Sequence, residues 1–261
     1  MAPGLTCKMQ RAPGENTIAL IGDSHANHLY PGMMALAKEN EGIAVFPASC
    51  AIPLIGLHSG ADPDTVKRNR YRGYTEHLLS EGFSYVISHK EIKKVLLYHA
   101  PGCSYNNVVD KQNPNNSDFN SILHDGFART YDALTKAGKE IYIVLDSPNY
   151  KNEIWAKCQA SVSNRPSYVP DFGNSDKRAV CTVKSSNRKD RVTLGNWNKV
   201  SHEAAVGYKN VHFINLGEVF CPGGICSMLD GKGKLLYRDG GHLNIKGSIY
   251  AAPYVFKKLR E

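Results

Sequence analysis

Long hydrophobic runs are missing from these 261 residues. No stretch approaches the roughly eighteen consecutive apolar residues that a membrane-spanning helix needs. The opening Met1-Ala2-Pro3-Gly4 lacks the charged-then-apolar pattern of a secretory signal. There is no Cys-x-x-Cys, and no histidine pair is placed to complete a zinc site with the cysteines, so no metal is expected. Basic residues give a net charge of +8, but they are dispersed, with only small clusters such as Lys67-Arg68-Asn69-Arg70 and Arg188-Lys189-Asp190-Arg191. Without an aromatic-interleaved basic stretch, nucleic acid is not the expected partner. Mild basicity suits anionic lipid or polysaccharide equally well. Repeats, low-complexity tracts and convincing linkers are absent too. One domain over 1–261 is the expectation.

Cysteine is the residue present in excess, with seven in all. Cys221 and Cys226 bracket a short Pro-Gly-Gly loop and are expected to pair. Cys158 and Cys181 bracket a polar stretch of little periodicity, where a crosslink would add order. Cys50 with Cys103 is a third pairing, which leaves Cys7 odd; the sequence keeps that choice open. Disulfides imply an oxidising compartment. Such an address without a signal peptide is reconciled if the chain is a soluble piece excised from a longer, membrane-delivered protein.

Apolar runs over 17–22, 43–46, 95–98, 141–145 and 211–215 read as buried strands. Segments of helical period separate them, near 26–40, 64–80 (with 83–90 extending that layer), 119–137 and 191–208, and a last helix follows over 246–259. Strands alternating with helices predict right-handed crossovers and a parallel sheet covered on both faces. Ligands then gather at the carboxyl ends of the strands, near the switch in strand order. Residues 105–118 form an Asn-rich loop, and 150–190, fitting no element, read as an insertion, a lid or substrate wall.

Two motifs carry the chemistry. Gly22-Asp23-Ser24-His25 ends the first strand, and Asp239-Gly240-Gly241-His242 lies just before the last helix. A serine at a strand-to-helix turn presents its Oγ beside unpaired helix N–H groups. Asp-x-x-His offers a base, and a carboxylate to orient it, within one short loop. Each motif alone has a bland reading: a capped turn for Ser24, and for Asp239 and His242 a loop before a helix capped by Asn244. Together they supply nucleophile, base and orienter. Asp23 is expected to support the turn or cap the helix. His25 and His28 share a helix face without a carboxylate motif and read as polar or packing residues. Trp155 and Trp197 read as structural or surface aromatics.

These segments, Ile18-Ala19-Leu20-Ile21-Gly22-Asp23-Ser24-His25 and Leu236-Tyr237-Arg238-Asp239-Gly240-Gly241-His242-Leu243-Asn244, resemble the SGNH/GDSL hydrolases. His25 directly after the serine, the Tyr-Arg-Asp-x-x-His-Leu run and the cysteines are most similar to one branch, the SGNH domain fused to acyltransferase-3 membrane proteins, including bacterial O-antigen O-acetyltransferases. The resemblance implies a flavodoxin-like three-layer α/β sandwich with a central parallel sheet of about five strands. It implies catalysis by Ser24, His242 and Asp239, with the Ser24 backbone N–H in an oxyanion hole. The wider family adds a glycine after the second strand and an asparagine after the third, in Gly-x-Asn-Asp. Here the third strand runs into Tyr98-His99-Ala100-Pro101-Gly102-Cys103, so Asn106 or Asn107 must serve as the donor or be ordinary loop residues. The implied activity is O-acetyl transfer through an acetyl-serine to a hydroxyl of a cell-envelope polysaccharide. No cofactor is expected in the domain itself. Acetyl-CoA is the ultimate donor, through an acyltransferase-3 transmembrane domain of the same polypeptide, with the SGNH domain on the periplasmic face of the inner membrane. The alternatives are an esterase or deacetylase using water, and a catalytically silent glycan-binding domain.

Overall fold

A computed structural model describes residues 8–10, 16–59, 72–100, 108–145, 147–162, 177–187 and 191–261. Five strands make the parallel heart of the sheet: β2 (Thr17–Gly22), β3 (Ile43–Pro47), β5 (Ile92–Tyr98), β7 (Glu140–Leu145) and β9 (Val211–Asn215). A short strand, β1 (Lys8–Gln10), pairs antiparallel with β3, giving the order β1-β3-β2-β5-β7-β9. Direction reverses beside β2, where the chain first runs outward to β3 and then crosses back to β5. The topological switch point, where sheets of this kind bind their ligands, therefore lies at the carboxyl ends of β2 and β5.

The central strands are apolar over most of their length because both faces are covered. Polar exceptions lie at the start of β5 (Lys93, Lys94) and β7 (Glu140) and on the edge strand β9 (His212, Asn215). Alternate side chains of β2 go to opposite sides: Ile18 and Leu20 join one core cluster, Ala19 and Ile21 the other. Helices α1 (Ser24–Leu36) and α6 (Ile245–Arg260) cover the first face. On the second lie α2 (Arg72–Ser88), α3 (Phe119–Lys136) and α5 (Arg191–Ala204). The molecule is thus a three-layer α/β sandwich.

Several boundaries depart from the sequence reading. Helix α1 begins at Ser24, because the Asp23 carboxylate accepts the His25 N–H, and it stops at Leu36, where Ala37 turns extended. Segments 72–80 and 83–88 are one helix; 60–71 lies outside the described residues. The stretch 150–190 is not without regular structure. It contains α4 (Asn152–Val162), whose Ile154, Trp155 and Cys158 pack on the first core cluster, and a one-turn helix, Lys177–Val180. Two antiparallel ribbons were also not foreseen: β4 (Leu57–Ser59) with β6 (Val108–Asp110), inside the Asn-rich loop, and β8 (Thr182–Lys184) with β10 (Ile225–Ser227). Their three-residue strands are too short for periodicity to register.

Disulfides Cys158–Cys181 and Cys221–Cys226 are formed; the first ties this second ribbon to α4, and the second closes the short loop that leads into β10. Cys50 is also disulfide-bonded, while Cys7 and Cys103 lie outside the described residues.

Candidate active site

Ser24 stands at the first residue of α1, directly beyond β2. The turn that carries it depends on a bare backbone at Gly22, since a Cβ there would lie 1.8 Å from the Tyr98 carbonyl oxygen. Asp23 beneath it is fully buried and holds three groups at once: the His25 N–H at 2.8 Å, the Ala100 N–H at 2.9 Å and the His99 imidazole at 2.9 Å. Burial alone would raise the Asp23 pKa. The His99 imidazole, with His25 and the Ala100 amide, outweighs it and lowers the carboxyl to about 2. The aspartate therefore stays ionised and ties the turn after β2 to the turn after β5.

Residues 235–244 form a closed hairpin at the other end of the chain. Tyr237 and Leu243 bridge, Arg238 N–H donates to the His242 carbonyl, and the Asn244 amide donates to the Leu235 carbonyl. Asn244 also caps α6 through the Gly247 N–H. The tip of this hairpin rests on the turn after β7, where Tyr150 N–H donates to the Gly240 carbonyl. Contact is close enough that a Cβ on Gly240 would sit 2.5 Å from the Tyr150 carbonyl oxygen. On Gly241 it would sit 2.5 Å from Asn149 Oδ1.

These two pieces meet although 218 residues separate them. Ser24 Oγ lies 2.8 Å from His242 Nε2, and His242 Nδ1 is 2.9 Å from both carboxylate oxygens of Asp239. Asp239 Oδ1 further accepts the Gly241 and His242 N–H groups. Burial pushes the Asp239 pKa up, but those amides and the imidazole outweigh it and hold the carboxyl below its ordinary range. The carboxylate therefore leaves the Nδ1 proton on His242 and frees Nε2 to accept from Ser24. Asp239 is 45% exposed and His242 27%, so the chain of bonds lies open to solvent.

The Ser24 N–H has no acceptor among the described residues and sits at a helix start, where amide dipoles favour negative charge. Asn106 and Asn107 lie outside the described residues. His25 and His28 are buried behind His242, with ring centroids 5.1 and 6.1 Å from it. Among the described residues no group of His, Cys, Asp or Glu is arranged to hold a metal ion. Trp197 is buried, packed between His99 and Phe127. The sequence reading passed over His99 and the Asn149–Tyr150 turn. Both follow the carboxyl end of a parallel strand, which is the one signal that could have marked them.

In comparison with solved structures, the chain is similar to a protein of the SGNH type from Slackia heliotrinireducens, at 12% identity and a TM-score of 0.47, covering 94% of this chain and 98% of the other. It is similar also to an acetylxylan esterase from Geobacillus stearothermophilus, at 11% identity and a TM-score of 0.41, with 96% of each chain covered. No curated protein matches the sequence significantly. Among the described residues no helix is long and apolar enough to cross a membrane. The family model for the SGNH domain fused to AT3 domains matches residues 2–257, nearly the whole length, and the chain belongs to that family.

Proposed function

We propose that this domain is an O-acetyltransferase in which Ser24 carries the acetyl group. The observation that carries the reading is the continuous hydrogen-bonded series Ser24 Oγ, His242 Nε2, His242 Nδ1 and Asp239, placed at the carboxyl end of β2. Ser24 Oγ attacks the carbonyl carbon of the acetyl donor while His242 Nε2 takes its proton. The oxygen that becomes negative faces the Ser24 N–H. Collapse of the tetrahedral species expels the donor's leaving group, which receives the proton from His242. An acceptor hydroxyl then gives its proton to His242 and attacks the acetyl-serine; as the Ser24 Oγ–acyl bond breaks, His242 returns that proton to Oγ, which restores Ser24 and releases the acetylated acceptor. Asp239 holds the imidazole in the required tautomer and stabilises the imidazolium in both halves.

Membership of a family fused to AT3 domains supports a sugar rather than water as the acceptor. On this reading the AT3 membrane domain delivers acetyl groups derived from acetyl-CoA. The acceptor is a hydroxyl of a cell-envelope polysaccharide of the O-antigen kind, met on the periplasmic face of the inner membrane. One observation favours a second reading, an esterase: the solvent exposure of Asp239 and His242 admits water to the same acetyl-serine.

Intact-mass spectrometry after incubation with p-nitrophenyl acetate, with and without polysaccharide, tests the choice against Ser24→Ala. A Ser24-dependent acetyl adduct that discharges onto the sugar is the expected result. Discharge to water at a rate indifferent to sugar would establish the esterase instead. No adduct together with no Ser24-dependent release of p-nitrophenol, with or without polysaccharide, would sink both.

A further inference from the structure

Behind His242 lies an imidazole that the acyl-transfer scheme does not use. His28 is buried on the inner face of α1, and its two ring nitrogens face different partners. Nδ1 is 3.3 Å from the backbone N–H of Leu243, the residue after the base. Nε2 is 3.2 Å from the Tyr98 hydroxyl, which donates onward to Ser147 Oγ and accepts the Ser147 N–H.

The partners define the proton. An amide N–H only donates, so Nδ1 must carry a lone pair, and in a neutral ring the proton then sits on Nε2 and goes to the Tyr98 oxygen. A charged His28 would set an N–H against the Leu243 N–H, donor against donor. Burial lowers the His28 pKa well below its ordinary value, and His25, His242 and Arg238 around it lower it further. The ring is therefore neutral at the moment His242, with its centroid 6.1 Å away, becomes an imidazolium. Tyr98 and Ser147 come from the ends of β5 and β7, so the tautomer is set by the sheet.

We infer that His28 is a positioning residue for His242: its Nδ1 grips the Leu243 amide and so holds the base loop in register with Ser24. The inference rests on the proposed role of His242. Both ends of the grip start from α1, since Ser24 opens that helix and His28 lies one turn along it. The distance from Oγ to Nε2 is thereby referred to α1, which carries Ser24 and, through the Leu243 amide, holds the hairpin of His242. Shifts of about 1 Å at a reacting pair cost on the order of a hundredfold in rate.

Three variants separate positioning from bulk packing. His28→Asn puts an amide oxygen near the place of Nδ1 and keeps the acceptor. His28→Leu fills the space and removes it, and Tyr98→Phe removes the group that fixes the tautomer. Acetylation of Ser24 by p-nitrophenyl acetate is expected to lose about thirty- to a hundredfold in kcat in His28→Leu, with KM within about threefold. His28→Asn is expected to recover most of that loss, and Tyr98→Phe to fall between. Equal rates in the Asn and Leu variants, at matched melting temperatures, would overturn the inference, as would an unchanged rate in His28→Leu.

A readout independent of turnover is the nitrogen NMR of the imidazoles at neutral pH in the wild type and in His28→Asn. An unprotonated Nδ1 on His28, and a His242 Nδ1 proton protected from exchange in both proteins, are expected. A proton on His28 Nδ1 would overturn the inference even if the Leu variant fails to fold. Absence of any Ser24 adduct with these resonances intact would instead remove the catalytic reading and leave the positioning of His242 standing.

Discussion

Charge placement on two aspartates decides the behaviour of single residues here. Asp239 accepts two backbone amides besides the imidazole, so its position outlives the loss of its charge. Asp239→Asn is therefore expected to keep the fold, yet to present the wrong face to His242 Nδ1 and allow the proton to move to Nε2. The kcat for Ser24 acetylation should fall by about a hundred- to ten-thousandfold with little change in KM, read by stopped-flow release of p-nitrophenol. Asp23 acts on stability instead. Its folded pKa, about 2, lies below the ordinary 3.8, so it contributes stability above pH ~4 that is lost as pH falls toward 2. The size is on the order of 2 kcal/mol, from 1.36 kcal/mol per pKa unit. Urea unfolding at pH 6 and pH 3 should show about half of that loss, on the order of 1 kcal/mol, in the wild type and a smaller difference in Asp23→Asn, which begins less stable. Residue identities of this kind were legible in the two motifs. The buried partner His99 was not, because nothing in a linear chain reports which side chain meets a carboxylate across a sheet.

Two helices act together at the scale of elements. Helix α1 starts at Ser24, α6 starts just after His242, and they touch backbone to backbone at Gly32 and Ser248. A Cβ on Gly32 would lie 2.1 Å from the Ser248 carbonyl oxygen. The Ser248 hydroxyl meanwhile accepts the Gly32 N–H and donates to the Leu29 carbonyl. Gly32→Ala must drive the helices apart, with an expected loss of about 1–3 kcal/mol in urea unfolding, the range for overpacking. Gly240→Ala should do the reverse: a small loss of stability and a large loss of acetylation rate, because the clash with the Tyr150 carbonyl falls on the loop that carries His242. A melting curve and a rate measured on one preparation distinguish the two. The strands and long helices were readable from periodicity, since each buries a face of regular spacing. The helix Asn152–Val162 was not, though Ile154 and Cys158 are four residues apart, because a polar, loop-rich setting concealed a single short stripe.

For the whole molecule, the parallel sheet carries Ser24 beyond the end of β2, and the disulfide-braced ribbon joins the hairpin of His242 through the Leu236 N–H, which donates to the Met228 carbonyl. Replacing Cys158 and Cys181 by alanine releases a crosslink between residues 23 apart, and the chain-entropy argument sets the loss at about 3 kcal/mol. For a chain of this size that is a fall of about 6–12 °C in Tm by calorimetry under oxidising conditions. Ser24 chemistry should survive below the new Tm, since neither cysteine touches the Ser24–His242–Asp239 chain. By itself the sequence determined the order of strands and helices, the family and the two chemical motifs, because buried periodicity and reactive residue types are local properties. Only the tertiary structure decided that Ser24 and His242 stand 2.8 Å apart, that Gly32 and Gly240 are needed bare, and that a neutral His28 lies behind His242. Those depend on distances between segments far apart in the chain, from Gly240 against Tyr150 to Ser24 against His242. Such distances come from packing two helices and a hairpin onto one sheet, and no window of sequence contains them.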